Sequence, residues 1–145
     1  MARAVERFTP PASRPTLLTS DMSEGMIRAA QQRELPAIRQ AAQRLRLRDQ
    51  SVDAVLMAHG RHHIPLADQP AAASEAYRVL RPAGAVVMHD FAEDSAVARW
   101  FANVVDRYSH TGHDYPHFTE HQLTGLLTGP GSATSLSSGC TARWC

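Results

Sequence analysis

The chain has little cysteine and almost no excess of charge, and each shortage excludes a class of protein. Its two cysteines, Cys140 and Cys145, both lie near the end of the chain, so neither a disulfide framework nor a paired-cysteine zinc pattern is present. The 15 basic and 14 acidic side chains leave a formal charge of +1. We therefore expect no nucleic acid partner and no membrane partner, because both kinds of binding need a strong positive field.

Long apolar runs are also missing. None approaches the roughly 20 residues that a membrane-spanning helix needs, and the first residues are not followed by the apolar region of a signal peptide. The sequence therefore predicts a soluble, cytoplasmic protein. The 145 residues are 43% apolar, which is enough for one hydrophobic core. We expect a single partial domain over residues 1–128 and a disordered, serine- and glycine-rich tail over residues 129–145.

Short apolar runs alternate with helical patterns along the chain. Strands are predicted over residues 16–20, 37–40, 52–58 and 85–89, and helices over 24–33, 67–80, 95–108 and 119–127. Ser23 is predicted to cap the first helix and Thr119 the last. The Arg-Pro-Ala-Gly sequence at 81–84 is predicted to end the second of these helices. In the third helix, one side is predicted to pack against the core, and its residues are Val97, Trp100, Phe101, Val104 and Val105. The alternation predicts an α/β fold with a parallel sheet.

Three motifs carry a family resemblance. They are Leu-Thr-Ser-Asp-Met-Ser-Glu-Gly-Met at 18–26, Leu-Arg-Asp-Gln-Ser-Val-Asp-Ala-Val at 47–55 and Glu-Ala-Tyr-Arg-Val-Leu-Arg-Pro-Ala-Gly at 75–84. In order and spacing they resemble landmarks of class I S-adenosylmethionine (SAM)-dependent methyltransferases, near the second, fourth and fifth strands of that family. The resemblance implies a partial Rossmann-like sheet with flanking helices. The family's first strand, its glycine-rich loop and its final hairpin have no counterpart, which gives the pattern of a domain truncated at both ends.

The resemblance implies S-adenosyl-L-methionine as the cofactor. Asp21 matches the family carboxylate that accepts hydrogen bonds from the ribose hydroxyls, and Met22 would lie beside the adenine. The alternatives are that Asp21 is a turn or cap carboxylate for the following helix, and that Met22 fills the core.

Further cofactor contacts are implied after the next two strands. Where the family has an acidic residue that accepts from the adenine amino group, this chain has Ala41, followed by Ala42. Gln40 or Gln43 could supply the missing acceptor. After the fourth family strand, the backbone of Ala58 and Gly60 would face the methionine part of the cofactor, since glycine permits close approach.

His59 and His62 are the candidate catalytic residues. A histidine beside a methyl acceptor can remove its proton near neutral pH, as a general base. The alternative is a loop histidine that binds backbone or water, because the sequence identifies no second catalytic group.

Four histidines with Asp114 and Glu120 lie close together at 110–121. Such side chains can bind zinc, nickel or copper, but their spacing matches no zinc signature and no metal site is predicted. In a methyltransferase this segment could instead cover the acceptor, with His113, Tyr115 and Phe118 as substrate contacts.

Three functions remain open. The first is SAM-dependent methyl transfer to a small-molecule substrate, whose identity the sequence does not specify. The second is an inactive methyltransferase-like chain, because loss of a central strand would leave unpaired edges that a second copy or a complementary chain could fill. The third is a metal-binding module built on the histidine cluster.

Overall fold

The computed structural model describes residues 10–93, 95–110 and 117–127. Its strands are β1 (Thr19–Asp21), β2 (Ala37–Arg39), β3 (Val52–Ala58) and β4 (Leu80–His89). Its α-helices are α1 (Glu24–Gln31), α2 (Gln69–Val79), α3 (Ala96–Trp100), α4 (Asp106–Tyr108) and α5 (Glu120–Leu127). The chain divides into two compact units, Met1–Arg46 and Leu47–Cys145. The tail predicted over 129–145 lies outside the described residues, and the domain bounds stay a prediction.

In the first unit, β1 and β2 form a parallel pair with Thr19 opposite Ala37 and Asp21 opposite Arg39. Helix α1 follows β1 directly. The Ser23 hydroxyl accepts the Met26 N–H at its start, which confirms the predicted N-cap. Connections of this strand–helix–strand kind keep both strands parallel, so their carboxyl ends share one edge.

In the second unit, β3 and β4 form another parallel pair, with Val55 opposite Val86 and Ala58 opposite His89. The two faces of this pair differ in exposure. Met57 and Met88 line the same small space as Ala72 and Ala73 of α2, and those two alanines are buried. On the opposite face, Leu56 is 48% exposed and Val87 is 50% exposed. The α/β class with parallel pairing is confirmed by these two units.

The boundary between α2 and β4 differs from the prediction. Arg-Pro-Ala-Gly at 81–84 does end the helix, but these residues already belong to β4, which begins at Leu80. Val52 pairs with Leu80 and Ala54 pairs with Ala85, so the extra residues of β4 form an irregular bulge. Proline stops a helix without stopping extended backbone, and for this reason the strand was predicted too short.

The helix predicted over 95–108 is interrupted. A π-helical turn, Phe101–Val105, separates α3 from α4. The predicted packing side was wrong for Val97, Trp100 and Val104, which are exposed. Phe101 and Val105 are half-buried, and Ala98, which was not predicted to pack, is buried. The π turn breaks the 3.6-residue period on which that prediction depended.

Helix α5 confirms the last predicted helix. Its start carries a reciprocal cap, in which Thr119 Oγ1 accepts the Gln122 N–H at 3.2 Å and Gln122 Oε1 accepts the Thr119 N–H at 3.0 Å. The Tyr77 hydroxyl of α2 donates to the Leu127 carbonyl at 2.7 Å. Among the described residues, no helix has the length and apolar character needed to cross a membrane.

Candidate functional site

Asp21 and Met22 end strand β1 in the first unit. Asp21 Oδ1 accepts the Ser23 N–H at 2.7 Å, so the carboxylate does form a turn before α1. Oδ2 of Asp21 makes no hydrogen bond within the described part of the chain. The Met22 side chain is 64% exposed, which contradicts the alternative that it fills the core. Asp21 therefore does act as a turn carboxylate through Oδ1, and this role leaves Oδ2 to accept hydrogen bonds from a ligand.

Ala41 and Ala42 follow β2 at the same edge of the first unit. The Gln40 N–H donates to the Asp21 carbonyl at 3.0 Å, which brings the segment after β2 beside the end of β1. Gln40 is buried, and its Oε1 already accepts the Arg46 N–H at 2.7 Å. Its Nε2 is buried without a partner in the described residues. Gln40 is therefore buried with its carbonyl already accepting one hydrogen bond, and Gln43 stays the other candidate for the acceptor missing at Ala41.

Ala58, His59 and Gly60 end strand β3 in the second unit. His59 has a φ of 53°, an uncommon backbone conformation for a residue other than glycine, and its N–H donates to the His89 carbonyl at 2.8 Å. A Cβ at Gly60 would meet nothing closer than the Ala58 carbonyl at 3.9 Å. Among the described residues, the Gly60 backbone therefore has room beside it for an added methyl-sized group.

His62 is buried and bound to Asp90, the residue that follows β4. Its Nδ1 lies 2.7 Å from Asp90 Oδ1, and its N–H donates to Asp90 Oδ2 at 3.1 Å. The Phe91 N–H also donates to Asp90 Oδ1, at 2.9 Å. Asp90 is 2% exposed and His62 is 6% exposed. These contacts join the turn after β3 to the end of β4, and they make His62 far less accessible than His59.

Arg61 is a second buried polar residue in that turn. Its Nε and Nη2 donate to Gln69 Oε1 at 3.1 and 2.7 Å, and its guanidinium lies 3.7 Å from the centre of the Phe118 ring. Burial lowers the Arg61 pKa, while Asp90 opposes that shift. Phe118, predicted to contact substrate, is 1% exposed and packs beneath this cation.

The pKa of His59 is lowered from its ordinary value. The protein that covers part of the ring disfavours the charged form, and neighbouring His89 adds repulsion, while Asp90 acts in the opposite direction. The imidazole is therefore neutral at neutral pH and able to accept a proton.

Asp90, Arg61 and His89 were not predicted from the sequence as site residues. A signal for Asp90 was available, because an aspartate directly after an apolar parallel strand lies at the edge where α/β proteins place their site residues. The predicted substrate contacts His113 and Tyr115 lie outside the described residues. Within the described ranges, no group of three or more histidine, cysteine or acidic side chains is arranged to hold a metal ion.

Comparison with known proteins gives consistent results. The family described as "Methyltransferase domain" matches residues 4–88. Demethylmenaquinone methyltransferases of Mycobacterium sp. strains KMS and JLS are each 34% identical over 97 residues, which is 67% of this chain. The chain spans 40% of the length of these relatives.

Solved structures agree on the fold. A SAM-dependent methyltransferase from Thermotoga maritima, described as a possible histamine N-methyltransferase, aligns with a TM-score of 0.65 at 20% identity, over 87% of this chain and 66% of its own. A SAM-dependent methyltransferase from Methanosarcina mazei gives 0.62 at 19% identity, over 77% and 66%. Together with the match over residues 4–88, these findings show that the chain belongs to the class I SAM-dependent methyltransferase family.

Proposed function

We propose that this chain binds S-adenosyl-L-methionine and takes part in methyl transfer to a small-molecule acceptor. The observation that carries the proposal is Asp21, which ends a parallel strand and keeps Oδ2 without a partner in the described residues. The carboxyl edge of parallel strands is where α/β proteins bind nucleotides, and a carboxylate there accepts from ribose hydroxyls. Family membership supplies the chemical context.

Each proposed contact has a distinct role. Asp21 would accept the ribose hydroxyls, and the exposed Met22 side chain would cover the adenine. Ala41 offers no acceptor to the adenine amino group, and the missing hydrogen bond costs about 1–3 kcal/mol of binding free energy. In the first unit, the Ala42 backbone would lie against the cofactor, where a small side chain permits close approach. In the second unit, the cofactor contacts of the Ala58 and Gly60 backbone stay a prediction. We therefore expect binding that is weaker than in family members with a carboxylate at the Ala41 position.

Methyl transfer depends on the orientation of the donor and the acceptor, and it needs no covalent intermediate with the protein. A sulfonium methyl group transfers in line to a nucleophile, so the protein has to align the two reactants and, for some acceptors, remove a proton. His59 is the accessible candidate for that proton. Demethylmenaquinone, the acceptor in the names of the mycobacterial relatives, is the first acceptor that we propose to test.

The proposal is tested by isothermal titration calorimetry with S-adenosylhomocysteine. Asp21→Asn keeps an oxygen for the Ser23 N–H but loses the charge offered to the ribose, so we expect affinity to fall about tenfold or more, which corresponds to roughly 1.4 kcal/mol. Ser23→Ala is the matched control, because it removes the neighbouring cap and leaves the carboxylate.

The expected pattern is weak but saturable binding by the wild type, weaker binding by Asp21→Asn and wild-type affinity in Ser23→Ala. Circular dichroism establishes that each variant is folded. No binding by a folded wild-type chain would contradict the proposal and favour the inactive, partner-dependent alternative. Equal losses in both variants would mean that Asp21 acts only through the turn.

A further inference from the structure

A cluster of ring side chains lies around the carboxyl ends of β3 and β4. The His59 ring is 4.5 Å from His89 and 4.8 Å from Phe91, measured between ring centres. Phe91 is in turn 5.1 Å from Phe101 and 6.3 Å from His117. We call these five residues the ring cluster. Phe91, Phe101 and His117 are half-buried, while His59 and His89 are exposed.

The ring cluster presents flat, weakly polar surface at the edge where the parallel strands end. Such surface favours a planar aromatic ligand, because offset and edge-to-face ring contacts each contribute about 0.5–1.5 kcal/mol beyond the area they bury. Asp90, which lies between His89 and Phe91 in the chain, is 2% exposed, and Arg61 is 4% exposed, so neither of these two charges is presented at the surface.

His59 is the member of this cluster that can exchange a proton with a ligand. Its backbone is held by the hydrogen bond to the His89 carbonyl, and its φ of 53° fixes the direction in which the side chain leaves β3. His62 has its Nδ1 on buried Asp90, and its ring is covered. The structure therefore distinguishes between two histidines that the sequence could not separate.

The charges around His59 favour a neutral ring that can become charged during the reaction. Among the described residues, the titratable groups that act on it are His89, Asp90 and His62. The two histidines and partial burial disfavour the imidazolium, whereas the Asp90 carboxylate stabilises it. A base with these neighbours is unprotonated before the reaction and has a counter-charge nearby once it accepts a proton.

We propose that the acceptor is a planar aromatic molecule with a hydroxyl group, and that His59 accepts the hydroxyl proton during methyl transfer. This proposal rests on the proposed SAM-dependent function. As the O–H bond breaks, its proton binds an imidazole nitrogen of His59. The oxygen electron pair forms a bond to the methyl carbon, and the electrons of the carbon–sulfur bond return to sulfur. The products are the methyl ether and S-adenosylhomocysteine, and the imidazolium later loses its proton to solvent.

The test uses 2-naphthol as the probe acceptor and 2-naphthylamine as its matched amine, with methyl-labelled SAM as the donor. His59→Asn is the main variant, because asparagine tolerates the left-handed backbone found at this position. His59→Gly, which adopts that backbone freely, is a second variant in case the first fails to fold. His63→Asn is the control, since His63 lies outside the ring cluster.

We expect the wild type to methylate 2-naphthol in preference to 2-naphthylamine. Replacing His59 should lower kcat/KM for 2-naphthol by about 100-fold or more, with less than about a threefold change in S-adenosylhomocysteine affinity, since the proton is not transferred in that complex. His63→Asn should retain the wild-type rate. The wild-type kcat/KM should fall as the pH drops through the lowered His59 pKa, below 6.5, and this fall should disappear in His59→Asn.

The outcomes separate the two proposals. If S-adenosylhomocysteine does not bind the folded wild type, the proposed function fails and this inference fails with it. If it binds but 2-naphthol is not methylated, or the amine is preferred, the acceptor class is wrong. If 2-naphthol is methylated equally well by the His59 variants with an unchanged pH profile, the role of His59 is wrong.

Discussion

At the scale of single residues, the most constrained group in the second unit is the Asp90 carboxylate. It accepts from His62 Nδ1 and from the backbone N–H groups of His62 and Phe91, while being 2% exposed. A buried carboxylate with this many donors fixes its neighbours in place, because each donor would otherwise be buried without a partner. The position of His59 at the end of β3 depends on this arrangement through the turn that follows it.

We predict that Asp90→Ala lowers the free energy of unfolding by about 3–5 kcal/mol, since it leaves buried donors unpaired. Asp53→Ala is the matched control. Asp53 binds Arg81 at 2.6 Å, but its side chain is 85% exposed, so its loss should cost less than about 1 kcal/mol. Urea denaturation followed by circular dichroism measures both. Similar costs for the two variants would show that Asp90 does not hold the turn after β3.

Some site residues were predicted from the sequence and others were not. His59, His62 and Asp21 were found because their motifs identify the ends of strands. Asp90 and Arg61 were not, because their importance comes from partners 28 and 8 residues away, His62 and Gln69, and no local period encodes such contacts. The exposure that separates His59 from His62 likewise depends on tertiary packing.

At the scale of elements, the bulge in β4 shows how a lack of room beside the backbone limits which residue can occupy a position. Gly84 lies where the β4 register shifts against β3. A Cβ at this position would approach the Arg81 carbonyl and Leu80 Cδ2 to 2.9 Å, and the Asp53 carbonyl to 3.0 Å. Two of these three neighbours are backbone atoms, which cannot move without disturbing the pairing.

We therefore predict that Gly84→Ala lowers the free energy of unfolding by about 1–3 kcal/mol through overpacking. Gly125→Ala is its matched control. Gly125 lies in α5 with nothing within 4 Å of an added Cβ, so alanine should stabilise that helix by roughly 0.5–1 kcal/mol. Thermal denaturation of the two variants gives the sign of each change. A stabilised Gly84→Ala would contradict the close approach at the bulge.

The helices and strands with a regular spacing of apolar residues were the part of the fold that the sequence predicted. Strand β3 was predicted with its observed bounds, Val52–Ala58, because its residues form an apolar run of strand length that only Asp53 interrupts. Helices α1 and α5 were predicted from caps and spacing. The β4 bulge and the π turn Phe101–Val105 were not, since both break the period that identifies an element.

At the scale of the whole molecule, the two units each contain one parallel pair and one edge with site candidates. The outer face of the β3–β4 pair exposes Leu56 and Val87, each about half. Parallel sheets are usually covered on both faces, whereas the second copy or complementary chain was expected to pair with the strand edges, so the exposure of this face does not test that expectation. That partner stays a prediction, as does the single domain over residues 1–128.

The central claim is that the cofactor binds at the carboxyl ends of the strands. Hydrogen–deuterium exchange with and without saturating S-adenosylhomocysteine tests it most directly. We predict slower amide exchange at residues 20–23 and 40–43, at the carboxyl ends of β1 and β2, because bound ligand would shield the backbone there. Residues 49–51, which precede β3 at its other end, should exchange at an unchanged rate. Protection at 49–51 alone, or at none of these segments, would contradict the account.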